Sequence, residues 1–409
     1  MSAASARMTP IRTTPVHITM VTGGPFPALG GAEIQALRLA KALKESGYQI
    51  EIMCLNAAGA QKRNEFVDSI PVHRVGVFTF STPGGKHRLG SLSSFPAVFT
   101  TMLRRKPRPH LIHLHLLTRA TLAAALAGRF MGIPVIAKLG NSGRRFDFRQ
   151  IRETYFEGAL LAYLFKQSIS AFIAPSSAVS ADLLNEGIKV KDIVSIPNGV
   201  DLEYFSREAA APSEAPPGFT FVYTGTLKKK KNLHILIEAF AKAQADAGGR
   251  LNLIIVGDGP ERRTLETLAA EHHLTGRITF AGGHQDVRPW LSLADAFVLP
   301  SEAEGLPNAL MEAMAFSLPA IATGVGGSLE LIDPARSSFA SPPGRFYEAR
   351  HGILVTPGDI QGLAGALTKM AENAERNRVL GESARRHIEE NYTLTNIAKK
   401  YEELYQSLI

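Results

Sequence analysis

The sequence predicts an α/β protein of two doubly wound parallel-sheet halves that face each other across a cleft. Three observations predict it. Short apolar runs such as Ala296–Leu299 alternate with segments of helical period along most of the 409 residues, as buried parallel strands alternate with crossover helices. The alternation occurs twice, on either side of an Ala-, Pro- and Glu-rich stretch at Arg207–Gly218. Glycine-rich turns follow several of the strands, at the carboxyl ends where open parallel sheets bind ligands.

Residues 1–15 are Ser, Ala, Thr and Pro with scattered Arg, lack the apolar centre of a signal peptide and read as a disordered tail. The first domain spans 16–201. It opens with a strand at Val16–Val21, a loop at Thr22–Gly31 and a helix from about Ala32 to Ser46 that Gly47 ends. Strands follow at Gln49–Leu55, Val72–Val77, Leu111–Leu116, Val135–Lys138, Ala171–Ala174 and Ile193–Ile196. Ile196–Asp201 is a turn. The second domain, 202–385, carries strands at Thr220–Thr224, Leu251–Val256, Ile278–Phe280, Ala296–Leu299, Ala320–Ala322 and Ile353–Val355. Residues 386–409 end the chain, and Leu394–Leu408 has the period of an amphipathic helix.

Composition narrows the function. With 45% hydrophobic and 20% charged residues the chain is of ordinary globular type. No apolar run reaches the ~18 residues of a membrane span. The single cysteine, Cys54, excludes an internal disulfide and a Cys-based zinc site and suits a reducing, cytoplasmic compartment. The net charge of +8 is uneven. Residues 1–200 hold 24 Lys and Arg against 11 Asp and Glu, whereas 201–409 hold 21 against 26. The basic half predicts an anionic partner. Arg104-Arg105-Lys106-Pro107-Arg108 and Arg144-Arg145-Phe146-Asp147-Phe148-Arg149 concentrate that charge, and basic residues beside exposed aromatics suit an anionic membrane face. A solvated basic face explains them equally well. No nucleic-acid-binding module is present.

The chemistry concentrates in Asp295–Met314. Pro300 ends the strand, Gly305 and Pro307 break the backbone, and a helix begins with Pro307 at its first position, where a missing N–H costs nothing. Glu304 lies on the loop and Glu312 in the helix, eight positions on, with the free N–H groups of the first helical turn between them as a ready phosphate site. The plain alternative is an α/β loop with two solvated carboxylates.

The run from Ser301 through Met314, with its Glu304-x7-Glu312 spacing, resembles the signature of the retaining nucleotide-sugar glycosyltransferases of family 4. That family has the GT-B fold of two Rossmann-like domains. The resemblance spans nearly the whole chain and is strongest from Asn198 to Gly327. It implies an acceptor-side first domain, a donor-binding second domain and a last helix that crosses back onto the first. Glu312 would bond the ribose hydroxyls. Glu304, with backbone groups from Gly305, Leu306, Pro307 and Asn308, would hold the sugar and phosphate.

Other segments match as well. Gly30 and Gly31, in a loop without the dinucleotide glycine spacing, resemble the family's Gly-Gly loop facing the donor diphosphate. Ile112-His113-Leu114-His115 is similar to the strand whose second His contacts the transferred sugar, so that role falls to His115. His113 stays structural, and no third ligand makes the pair a zinc site. Tyr223–Leu233 resembles a strand-loop carrying an Arg and, five positions on, a Lys that neutralise the leaving diphosphate. Lys231 takes the Lys position, but Thr226 stands where Arg is usual. Gly257 begins a matching turn, and Gly282 with His284 lies in the loop that holds the nucleotide base. Two further departures are Gly140-Asn141-Ser142-Gly143, where the family often has a His, and Asp333–Glu348, which reads as an insertion.

No Asp-x-Asp occurs, so charge neutralisation would fall to lysine and helix N-termini without a metal or other cofactor. The resemblance thus implies sugar transfer from a UDP- or GDP-sugar to an acceptor. The basic first half points to a glycan or lipid-linked acceptor in surface polysaccharide or glycolipid assembly, and to a cytoplasmic protein peripheral to the inner face of the membrane. A nucleotide-sugar 2-epimerase of the same fold and a catalytically silent sugar-nucleotide-binding protein remain open alternatives.

Overall fold

The structure, a computed structural model, describes residues 15–24, 26, 30–57, 62–77, 90–206 and 216–409. The tail at 1–14, part of the first glycine loop and most of the 207–218 break lie outside these residues.

Two sheets form. The first contains β1 (His17–Thr22), β2 (Gln49–Ala57), β3 (Asn64–Val67), β4 (Ile70–Val77), β5 (Leu111–His115), β6 (Val135–Lys138), β7 (Ala171–Ala174) and β8 (Ile193–Ser195). Their order is β3-β4-β2-β1-β5-β6-β7-β8. The second contains β9 (Phe219–Thr224), β10 (Leu251–Val256), β11 (Ile278–Gly282), β12 (Ala296–Leu299), β13 (Ala320–Thr323), β14 (Phe346–Ala349) and β15 (Gly352–Val355), ordered β11-β10-β9-β12-β13-β15-β14. All pairs are parallel except β3–β4 and β14–β15. Those antiparallel edge strands are the two that the sequence pattern misses. Their residues are half-exposed, so they lack the apolar run that marks a strand covered on both faces.

Each sheet is buried by helices on both faces. All four residues of β12 are buried, and Phe297, Val298 and Leu299 contribute about 1.5–3 kcal/mol each. The second domain has one continuous core, while the first has a core on each face of its sheet. Cys54 is buried in the first domain, and burial pushes its thiol up to about 11. The helix Leu394–Leu408 supplies Ile397, Ala398, Tyr401, Leu404 and Tyr405 to the core of the first sheet. Its entry is fixed by Val200, whose N–H donates to Tyr392 and whose carbonyl accepts from Leu394, both at 2.9 Å.

One expectation is corrected. Phe146 and Phe148 are buried in the first domain's core, not exposed beside their arginines. Asp147 between them explains it. Its carboxylate accepts from the N–H groups of Gly140 and Asn141, both at 3.1 Å, which turns the segment inward. Among the described residues, no helix is long and apolar enough to cross a membrane.

Candidate active site

The carboxyl ends of the strands in both sheets face the interdomain cleft, and the β12 loop spans it. Pro307 caps rather than begins the helix, which runs Asn308–Ala315. Glu304 and Glu312 are both buried. Nζ of Lys231 donates to Oε1 of Glu304 at 2.5 Å. Burial pushes the Glu304 carboxyl up, but the charge and hydrogen bond of Lys231 and the nearby Lys230 outweigh it, leaving the group below its ordinary value. A buried, ionised carboxylate paired with an ammonium results.

Lys231 ends a short 3-10 turn, Lys229–Lys231, that follows β9. The turn is tied to the Glu304 loop by the Glu302 N–H, which donates to the Lys230 carbonyl at 2.9 Å. Nζ of Lys230 reaches Oδ1 of Asn141 across the cleft at 3.3 Å, a partly buried cation beside Lys231. Thr226, where an Arg is expected, is held by its carbonyl, which accepts from the Tyr223 hydroxyl at 3.1 Å. Burial and the charge of Glu304 push the Tyr223 phenol well up, so it stays a neutral donor.

The glycines fall at strand ends. Gly257, at φ +149°, follows β10, and a Cβ there would lie 1.8 Å from the Gly225 carbonyl oxygen. Only glycine permits that approach. The Gly257 N–H donates to the Gly282 carbonyl at 2.7 Å, so both predicted donor glycines share one backbone floor. His284 lies beyond them, exposed, with Nε2 3.0 Å from the Ala281 carbonyl and its ring 5.1 Å from that of Trp290.

From the first domain, Gly30 caps the helix Gly31–Glu45, and Asn308 Nδ2 donates to the Gly31 carbonyl at 2.9 Å. Gly305 meets the other side, where its Cβ position is 2.3 Å from the Gly140 carbonyl oxygen. Leu306 is buried, and its carbonyl accepts from Asn198 Nδ2 at 3.0 Å. His115 ends β5, opposite Thr22 of β1, and is buried. Burial, then the charge of Lys138, holds its imidazole down to about 3, so it is neutral at physiological pH.

The structure therefore gathers Gly31, Lys231, Glu304, Gly305, Leu306, Asn308 and Glu312 into one hydrogen-bonded seam. It sets Gly257, Gly282 and His284 along the second-domain floor of the cleft. Sequence reasoning missed Arg38, whose Nη1 donates to Oε1 of Glu312 at 2.7 Å, and Ser142, whose hydroxyl donates to the Glu304 carbonyl at 2.6 Å. No local signal marks Arg38. Ser142 lies in the Gly140–Gly143 segment noted as a departure from the family pattern. Phe339 packs on Gly324, where a Cβ would lie 2.4 Å from the ring.

Two parallel-sheet domains with their strand ends across such a cleft define a GT-B protein. The description Glycosyltransferase Family 4 matches residues 29–204 and Glycosyl transferases group 1 matches residues 206–387. The chain belongs to the group 1 glycosyltransferases of family 4 type and is a transferase. It is 25% identical over 402 residues to N-acetyl-alpha-D-glucosaminyl L-malate synthase of Bacillus anthracis, covering 94% of this chain and 96% of that one. It is 28% identical over 335 residues to a GDP-mannose-dependent alpha-mannosyltransferase of Corynebacterium glutamicum, covering 78% and 75%. The fold matches Anabaena HepE, solved in complex with UDP and glucose, with a TM-score of 0.74, 20% identity and coverage of 95% and 99%.

Proposed function

We propose that the chain transfers a sugar from a UDP- or GDP-sugar to a glycan or lipid-linked acceptor, with retention at the anomeric carbon and without a metal, in surface polysaccharide or glycolipid assembly. The observation that carries this reading is the buried Glu304–Lys231 pair at the N-terminus of the helix that bears Glu312. The diphosphate sits at the first turn of that helix, against the Gly30-Gly31 loop. Glu312 receives the ribose hydroxyls on the oxygen that Arg38 leaves open. Glu304 holds the sugar hydroxyls, and its pairing with Lys231 fixes the ammonium where the departing diphosphate gathers charge. Lys230 supplies the second cation in place of the missing Arg. The acceptor attacks from the first domain on the face the leaving group departs from, so no covalent carboxylate is needed. His115, neutral, offers a hydrogen bond to the transferred sugar.

The relatives agree in class. One is named an N-acetyl-alpha-D-glucosaminyl L-malate synthase and the other for its dependence on GDP-mannose, and the second name supports a nucleotide-sugar donor here. Exposed Arg104, Lys106 and Arg108 lie before β5, on the side of the sheet away from the cleft, and support a peripheral position on the anionic inner membrane face.

The test is a thermal-shift and turnover screen against UDP-, GDP-, ADP- and dTDP-sugars with EDTA present. Stabilisation by one nucleotide with release of free nucleotide supports the reading and names the donor. No stabilisation by any of them refutes it. Conversion of the donor to its epimer without nucleotide release would replace it with the epimerase.

A further inference from the structure

The first-domain wall of the cleft holds a buried lysine amine without a counter-charge. Lys138 ends β6, and the strand register sets it directly beside His115 of β5, so both side chains leave the same face of the sheet. Its Nζ lies 5.6 Å from the ring centroid of Tyr401, which the crossing helix brings in. Lys138 is only 7% exposed, and burial holds its amine down to about 7 with no carboxylate offsetting the effect. Asp147 is committed to the backbone of Gly140 and Asn141.

Several groups around the amine lack partners. The rings of His113 and His115 stack with centroids 4.3 Å apart. His113 Nδ1 lies 2.8 Å from the Tyr405 hydroxyl. When that hydroxyl donates, His113 carries its hydrogen on Nε2. Nε2 of His113, Nε2 of His115 and the Tyr401 hydroxyl are all buried without a hydrogen-bond partner. A packed interior rarely leaves three such atoms around one buried amine unless something absent completes them. A neutral sugar does not call for an ammonium there, whereas an oxyanion satisfies the ammonium and the imidazole N–H groups together. The place fits a substrate group, since β5 and β6 end at the cleft and Gly140, two residues beyond Lys138, is the residue that backs Gly305.

We infer that Lys138 and His115 seat an oxyanion, a carboxylate or phosphate group borne by one of the two substrates, a reading that rests on the glycosyl transfer proposed above. The anion is carried either by the acceptor or by the transferred sugar itself.

Thermal melts of the full chain saturated with UDP or GDP distinguish these sources. Nucleotide fills the diphosphate site first, so inorganic phosphate added afterwards reports on a second site. If the acceptor bears the anion, phosphate raises the melting temperature of the wild type by a few degrees. Lys138→Gln abolishes that rise and keeps the rise due to nucleotide. If the sugar bears it, phosphate does little, UDP-glucuronate binds about ten-fold tighter than UDP-glucose, and Lys138→Gln erases the preference. Either result supports the seat. A phosphate response equal in the two proteins overturns it, as does the absence of both phosphate response and glucuronate preference in the wild type. Should Lys138→Gln fail to fold, the wild type labelled with 15N-lysine decides. A shift of the buried amine resonance on adding phosphate or UDP-glucuronate supports the seat, and an unmoved resonance overturns it. A wild type that no nucleotide stabilises overturns the donor reading, and the seat with it.

Discussion

Arg38 reaches across the domain boundary to Glu312, with Nη1 2.7 Å from Oε1. Seven residues earlier on the same first-domain helix, the Gly31 carbonyl accepts from Asn308, four residues before Glu312 on the partner helix. The guanidinium is also held 5.0 Å from the Phe205 ring centroid. Two contacts between the same two helices couple the proposed ribose carboxylate to the packing of the two halves. Arg38→Ala is expected to raise the donor KM about ten-fold, the loss of one charge-assisted bond, with a much smaller effect on kcat. Steady-state kinetics checks this, and an unchanged KM would show that the contact does not position Glu312.

Glu304→Gln keeps the shape of the loop and removes the charge that Lys231 faces. Turnover is expected to fall by at least about 100-fold, while the thermal shift produced by nucleotide persists. Loss of a buried partner costs on the order of 3 kcal/mol, so the apoprotein should also melt earlier. Full activity in this variant would remove Glu304 from the mechanism.

Lys230 tests how the chain manages without an Arg at Thr226. Burial and the neighbouring charge of Lys231 hold its amine below the usual value, which keeps it poised for an anion. Lys230→Met should lower kcat at least about ten-fold and leave nucleotide affinity nearly unchanged, as expected for a cation that acts mainly on developing charge. Equal losses in binding and turnover would assign it to ground-state binding instead.

Gly326 has φ +48°, and a Cβ there would fall 1.9 Å from the Glu304 carbonyl oxygen and 2.8 Å from the Ser142 hydroxyl. One contact is with the rigid backbone of the Glu304 loop and the other with the first-domain hydroxyl that donates to it. Gly326→Ala should therefore destabilise the protein by roughly 1–3 kcal/mol and displace Glu304. Ser142→Ala should cost less stability, since it removes a hydrogen bond without adding a clash. Chemical denaturation with both variants gives the comparison.

Stability should depend on pH through Lys138. The folded amine loses its proton near 7 and the unfolded one near its usual 10.5. Between those values the unfolded chain binds more protons, so this group's contribution to stability grows as pH rises from about 7 towards 10.5. Melting temperatures of the wild type should climb relative to Lys138→Met across that window. His115 acts likewise at lower pH. Its imidazole is held to about 3 against the usual 6.5, so its contribution is lost as pH falls through that interval. A constant difference between wild type and Lys138→Met would show that the amine is not buried in solution.

The sequence by itself determined the two-domain α/β architecture, because parallel strands covered on both faces must be short apolar runs, and such runs are local. It also determined the loop that carries Glu304, since Pro300, Gly305 and Pro307 dictate strand, loop and helix within a dozen residues. The group 1 family followed from the same stretch. Tertiary structure alone decided what each charge meets. Arg38 and Glu312 are 274 residues apart, and Ser142 and Glu304 are 162 apart, so no local pattern links them. The edge strands β3 and β14 were equally hidden, because pairing rather than an apolar run defines them. Lys138 reads in sequence as one residue of a basic half. Only the sheet register, with the last helix folded back over it, turns it into a buried amine beside His115.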